Sequence, residues 1–93
     1  MSLAWDAKDP GETLDYDIYW LPRLAADTIT ASSWAITVGD GALSIVSSSF
    51  TTTRAKVILS GGTLGTTYTL TNTVTTAIGD IAIENVQLKI AAK

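Results

Sequence analysis

The feature that most constrains the fold is an alternation of side-chain types between residues 68 and 75. Large or apolar residues occupy every second position and threonines lie between them; the two sets are Tyr68, Leu70, Asn72 and Val74, and Thr69, Thr71, Thr73 and Thr75. A period of two is typical of a strand that buries one face. Since no apolar pattern of helical period exceeds a turn or two, the sequence predicts an all-β fold.

Further strand-like segments follow one another along the chain, separated by turns that contain glycine, proline or aspartate. They are predicted at 14–20, 27–38, 43–46, 54–60 and 81–90, with the Ser- and Thr-rich segment 47–53 at a sheet edge or in a loop and one helical turn at 24–26. In the last strand the apolar residues change parity, which indicates a β-bulge near Glu84 and Asn85. About seven short strands with turns roughly every 8–12 residues favour a sandwich or a small barrel.

One local segment favours the sandwich. Leu64-Gly65-Thr66-Thr67-Tyr68 resembles the Leu-x-Pro-Gly-Thr-x-Tyr entry to strand F of fibronectin type III domains, although the proline is missing. In those domains the tyrosine hydroxyl bonds back to the backbone across the corner. We therefore predict an immunoglobulin/fibronectin type III-like β-sandwich with this bond at Tyr68. The alternative is that Tyr68 is simply a core aromatic residue.

The 93 residues provide enough chain for one domain. Residues 1–13 are polar and contain the turn signal Asp9-Pro10-Gly11-Glu12. We predict that they form an N-terminal arm and that residues 14–93 form a single β-sandwich domain, so that removal of the arm costs little stability. The alternative is that the arm pairs with its own sheet as the first strand.

The composition excludes most catalytic sites. The chain contains no His and no Cys, so Ser-His-Asp, Cys-His and His- or thiolate-ligated zinc sites are impossible. Asp15 and Asp17 lie on one face of a predicted strand, about 7 Å apart, but they fit no calcium-loop pattern, and we predict a solvated strand face. We expect no enzymatic activity, no cofactor and no metal site.

The charge of the chain bears on its partners. Six basic residues stand against nine acidic ones, and a negative protein repels nucleic-acid phosphates and anionic lipid. No apolar run approaches the length of a membrane span, about 18 residues. We therefore expect neither nucleic acid nor membrane as a partner. The absence of cysteine favours assembly in a reducing cytoplasm.

Two aromatic residues are candidates for partner contact. Trp20 and Trp34 lie on apolar strand faces and are predicted to be in the core, whereas Trp5 and Tyr19 fall outside that pattern. Exposed aromatic side chains are enriched in protein interfaces. With Asp9 and Pro10 of the N-terminal turn, Trp5 and Tyr19 form the predicted partner-binding set. The alternative is that they are bystanders on the surface.

Short segments in a fixed order carry a family resemblance: Lys8-Asp9-Pro10, Leu14-Asp15-Tyr16, Ile18, Trp20, Asp27-Thr28-Ile29, Ser33-Trp34, Leu59-Ser60-Gly61-Gly62-Thr63, Gly65 and Tyr68-Thr69-Leu70-Thr71-Asn72. Over roughly residues 5–80 the chain resembles small tail structural proteins of tailed phages and prophages, often called fiber-tail adaptors. The last strand resembles them least, and Tyr19 stands where the family commonly has an acid. No catalytic or ligand residue is implied.

The resemblance implies a virion component, assembled in the bacterial host cytoplasm, that joins other phage tail proteins and possibly copies of itself. A carbohydrate- or surface-binding β module is the alternative function, and an enzyme is a distant third.

Overall fold

The computed structural model describes residues 3–92, with the side chains of residues 4–92. The strands are β1 Leu3–Ala4, β2 Thr13–Tyr19, β3 Ile29–Val38, β4 Leu43–Phe50, β5 Arg54–Gly61, β6 Thr67–Thr76 and β7 Ile81–Lys89, and the helix α1 is Leu21–Leu24. Strands dominate the described chain, which confirms the predicted all-β class.

The strands form two sheets that enclose one hydrophobic core. The larger sheet has the order β1-β7-β6-β3 and the smaller one the order β2-β5-β4. Neighbouring strands are antiparallel except for β1, which runs parallel to β7. Buried residues from both sheets contribute to the core, among them Ile18 of β2, Val57 of β5, Leu70 of β6 and Val86 of β7.

Strand β6 shows the alternation that the sequence predicted. Its buried residues are Tyr68, Leu70, Asn72, Val74 and Thr76, and the threonines between them lie on the outer face of the sheet. The strand is central because β3 pairs along one side of it and β7 along the other. The period of two therefore identified a strand that is covered on one face only.

The Tyr68 hydroxyl makes the predicted bond to the backbone. It accepts a hydrogen bond from the Thr63 amide at 2.9 Å and donates one to Asp40 Oδ1 at 2.6 Å. The ring is fully buried, and a Cβ at Gly39 would approach its Cδ2 to 2.5 Å. Glycine at position 39 thus allows the backbone before β4 to lie directly on the tyrosine ring.

A buried polar network lies beneath α1. The Trp20 indole donates to Asn72 Oδ1 at 2.9 Å, and Asn72 Nδ2 donates to Ser32 Oγ at 3.0 Å and to the Ser33 carbonyl at 2.9 Å. The helix begins with Pro22 in its first turn, where a missing N–H costs nothing, and ends at Ala25 with a left-handed φ of 48°. The helical turn predicted at 24–26 is therefore wrong in position.

The bulge predicted near Glu84 and Asn85 is wrong. Strands β6 and β7 pair in unbroken register from Thr67 opposite Lys89 to Thr75 opposite Ile81. The apolar residues change parity because Ile81 and Ile83 lie on the outer face, where they are 69% and 55% exposed. The register shifts of the described sheets occur instead in the pairings of β3 with β6 and of β4 with β5.

The N-terminal segment lies along the edge of β7, as in the alternative that makes it a first strand. Leu3 and Ala4 pair with β7, the Lys8 amide bonds to the Lys89 carbonyl at 3.0 Å, and Lys8 forms a parallel bridge with Ile90. The Lys8 side chain is fully buried, and its Nζ donates to the carbonyls of Gly61 at 2.7 Å and Asp9 at 2.9 Å. This lysine ties the segment to the end of β5.

Candidate functional site

A groove of about 410 Å³ runs between the N-terminal segment and β2. Its lining residues are Trp5, Asp6, Ala7, Leu14, Asp15, Tyr16 and Asp17. Strand β2 is an edge strand of the smaller sheet, so the groove follows a sheet edge at the place where that sheet meets the segment laid on β7.

Aromatic rings and two hydrogen bonds hold the walls of the groove together. Trp5 stacks on Tyr16 with ring centroids 4.7 Å apart, and Trp34 packs against Trp5 at 5.7 Å. The Trp5 indole donates to the Asp17 carbonyl at 3.1 Å, and the Tyr16 hydroxyl donates weakly to the Asp6 carbonyl at 3.4 Å. The Trp5 indole is thus in contact with two other rings, and its N–H is bonded to one carbonyl of β2.

The groove is acidic. Its lining contains three carboxylates, of Asp6, Asp15 and Asp17, and no base. Burial, followed by the nearby charges of Glu12 and Asp6, raises the pKa of the Tyr16 phenol above its ordinary value. Two of these carboxylates, of Asp15 and Asp17, are paired with bases of β5 outside the lining. The Asp6 carboxylate has no ion pair within the described residues and is the group that suits a positively charged ligand.

The Asp15 and Asp17 carboxylates each pair with a base of β5. Lys56 Nζ lies 3.4 Å from Asp15 Oδ2, and Arg54 Nη1 lies 3.1 Å from Asp17 Oδ2. All four side chains are exposed, so these ion pairs contribute little to stability. Within residues 3–92 no group of three or more acidic side chains is placed to hold a metal ion. These two carboxylates therefore bind the outer face of β2 to its neighbour.

The structure separates the four residues of the predicted partner-binding set. Trp5 lines the groove and is half-buried. Tyr19 is 46% exposed at the end of β2, and the Arg54 guanidinium lies 4.4 Å from its ring centre. Asp9 and Pro10 lie in the turn, where Asp9 Oδ1 accepts from the Gly11 amide at 2.8 Å. Tyr19, Asp9 and Pro10 do not line the groove.

Sequence reasoning missed Asp6 and Tyr16 as groove residues. The parity of β2 places Tyr16 on the core side with Ile18, and this side is open at Tyr16 only because β2 ends the sheet. Neither the edge position of β2 nor the path of residues 5–7 beside it has a signature in the local sequence.

No helix of the described chain is long and apolar enough to cross a bilayer.

Comparison with known proteins identifies one family. The sequence model of the family described as "Podophage GP4 fiber-tail adaptor protein gp77" matches residues 8–89. No curated protein matches the chain. The family match covers β2 to β7 entirely, and it confirms the resemblance inferred from the ordered short segments.

Proposed function

Since the chain belongs to the podophage fiber-tail adaptor family, we propose that it is a non-enzymatic module of the virion tail that joins other tail proteins. The family match carries this proposal, and a phage tail structural protein of all-β fold is consistent with it. The same proposal includes assembly in the cytoplasm of the bacterial host, from a phage or prophage genome. Neither nucleic acid nor membrane takes part.

We propose the groove beside β2 as the docking site for a partner tail protein. An edge strand turns every second backbone N–H and C=O outward, and an extended segment of a partner can bond to them. The Asp6 carboxylate and the Trp5–Tyr16 stack favour a segment that carries Lys or Arg beside an apolar side chain. Tyr19, Asp9 and Pro10 flank this segment as secondary contacts.

The alternative carbohydrate-binding module is not favoured. Sugar platforms present an open aromatic face to the ligand, whereas Trp5 has Tyr16 and Trp34 against its ring. No observation on the described residues supports an enzyme.

We also propose that the sandwich is of the immunoglobulin/fibronectin type III kind. The support is the Tyr68 corner, in which the hydroxyl bonds to the Thr63 amide five residues upstream.

Charge reversal in the groove tests the docking proposal. Asp6→Lys places a positive charge on the lining, and we expect the variant to fold normally but to be incorporated poorly into particles assembled in infected cells. Asp80→Lys is the matched control, because Asp80 is an exposed acid in the turn between β6 and β7, outside the groove lining. Incorporation is measured as the amount of the chain in purified particles. Equal incorporation of both variants would refute docking at this groove.

A further inference from the structure

We propose that a second copy of this chain docks on β4, with the two β4 strands antiparallel across a two-fold axis, so that two three-stranded sheets become one of six strands. The surface is distinct from the groove at β2, and the inference does not rest on the proposed tail function.

Strand β4 is an open edge. The smaller sheet has the order β2-β5-β4, so β4 has a strand on one side only. Alternate backbone N–H and C=O groups of an edge strand point away from its sheet and are available to another strand. The register shift between Ile45 and Ser47 interrupts the first half of β4, whereas Ser47 to Phe50 pairs regularly with β5. The regular half is the part that a second strand can extend.

The core-facing side of β4 is incompletely covered. Ile45 pairs with Leu59 and Phe50 pairs with Ala55, and directly paired residues of antiparallel strands share a face. Leu59 and Ala55 are fully buried, yet Ile45 is 36% exposed and Phe50 is 43% exposed. The opposite sheet therefore covers Leu43 at the start of β4, which is buried in the core, but leaves Ile45 and Phe50 partly exposed. Val46, which is 56% exposed, adds a third apolar side chain to this uncovered edge.

The lack of charged side chains on β4 favours a second copy of this chain as its partner. Residues 28–53 contain a single charged side chain, Asp40, and its carboxylate is bound by Tyr68 at the end of the sandwich. The remainder of the chain is acidic, with a net charge of −3 for the whole sequence. Two copies that met through β2 would bring together charged side chains, because Asp15 and Asp17 are paired with Lys56 and Arg54 there. Two copies that meet through β4 bring together neutral edges that contain no Lys and no Pro, the residues that usually protect such an edge.

The test is the oligomeric state of the full-length protein in sedimentation velocity over a concentration series. We expect a reversible dimer. Val46→Lys should raise the dimer dissociation constant at least about tenfold, because it places two like charges against an apolar contact. Ile81→Lys is the matched control, since Ile81 is an exposed strand residue of the other sheet, and it should dimerise as the unmodified chain does. A chain that stays monomeric at every concentration, or equal weakening by both substitutions, would overturn the proposal.

A cross-link provides a second readout that does not depend on the lysine variants. The chain has no cysteine, so Ser48→Cys introduces a single thiol in the middle of the regular half of β4. Mild oxidation should convert this variant into covalent dimers. Ser33→Cys, on the exposed outer face of β3, should remain largely uncross-linked. Equal cross-linking of the two variants would contradict pairing through β4.

Discussion

Two tryptophans in the same core differ in the state of their indole N–H groups. The Trp20 N–H is bonded to the buried Asn72 amide, whereas the Trp34 nitrogen is buried and has no hydrogen-bond acceptor within the described residues. Loss of a buried partner leaves a polar atom unsatisfied and costs about 1–3 kcal/mol. Removing the Trp34 N–H, which is already unpaired, removes that energetic cost instead of adding one.

We therefore predict that Trp20→Phe lowers the free energy of unfolding by about 1–3 kcal/mol more than Trp34→Phe does. Urea denaturation followed by far-UV circular dichroism measures the stability of both variants. Each variant is the control for the other, because both replace a tryptophan ring by the smaller phenylalanine ring. Equal losses would mean that the Asn72 network contributes nothing beyond packing.

The Asp40 carboxylate, which accepts a hydrogen bond from Tyr68, makes the stability of the fold depend on pH. Hydrogen bonds from the Thr63 side chain, the Tyr68 hydroxyl and the Ala42 amide lower the pKa of Asp40 from 3.8 to about 2. A carboxyl group whose pKa is lower in the folded state than in the unfolded chain stabilises the protein at a pH above its unfolded-state pKa. This contribution is lost as the pH falls towards its folded-state pKa.

We predict that Asp40→Asn reduces the loss of stability between a pH of about 4 and about 2. Asp27, whose pKa is lowered mainly by a hydrogen bond from the Thr76 side chain, remains in the variant. Some loss of stability with falling pH is therefore still expected. Thermal melts across this pH range measure the effect. Parallel pH profiles for the unmodified chain and for Asp40→Asn would contradict the prediction.

At the scale of elements, the N-terminal segment is the one whose behaviour the sequence pattern and the structure predict differently. Its polarity suggests a dispensable arm, but it supplies a short strand to β7, a buried Lys8 and the half-buried Trp5. We predict that a chain starting at Thr13 loses about 3–5 kcal/mol of unfolding free energy, from two charged hydrogen bonds and the aromatic packing. Chemical denaturation of the truncated chain measures this.

A milder variant separates the lysine from the strand. Lys8→Met keeps the apolar stem but removes the two bonds to the Gly61 and Asp9 carbonyls, and we expect a loss of about 2–3 kcal/mol. A truncated chain as stable as the full one would show that residues 1–12 are an arm after all.

The strands were predictable from local sequence, whereas their neighbours were not. Period two in β6 identified one covered face because the pattern is a property of the strand alone. The same pattern in β7 was ambiguous, since a change of parity arises either from a bulge or from apolar residues on the outer face, and only the register with β6 distinguishes them.

The groove residues were predictable only in part. Trp5 was identified from its sequence context, but the groove also needs Asp6 and Tyr16, which a remote pairing of the N-terminal segment brings together. A buried lysine is rare enough that no sequence pattern favours it.

At the scale of the whole molecule, the two proposed contact surfaces occupy opposite edges of one sheet. The groove follows β2, the uncovered edge is β4, and β5 lies between them. The first edge carries charged side chains, among them Asp6, Asp15 and Asp17, and the second carries none. An adaptor built in this way can join its own copies through one edge and keep the other edge free for a different protein.

This arrangement predicts that the two edges can be disabled separately. Asp6→Lys should reduce incorporation into particles while the dimer dissociation constant stays unchanged. Val46→Lys should weaken the dimer while the isolated chain still binds a basic, extended peptide probe as tightly as before, because distant sites without shared partners act additively. The double variant should show both defects, each of its single-variant size. Sedimentation velocity and peptide-binding calorimetry on the same protein samples measure the two effects. Loss of peptide binding in Val46→Lys, with the fold intact by circular dichroism, would show that the groove forms only in the dimer and that the two edges do not function independently.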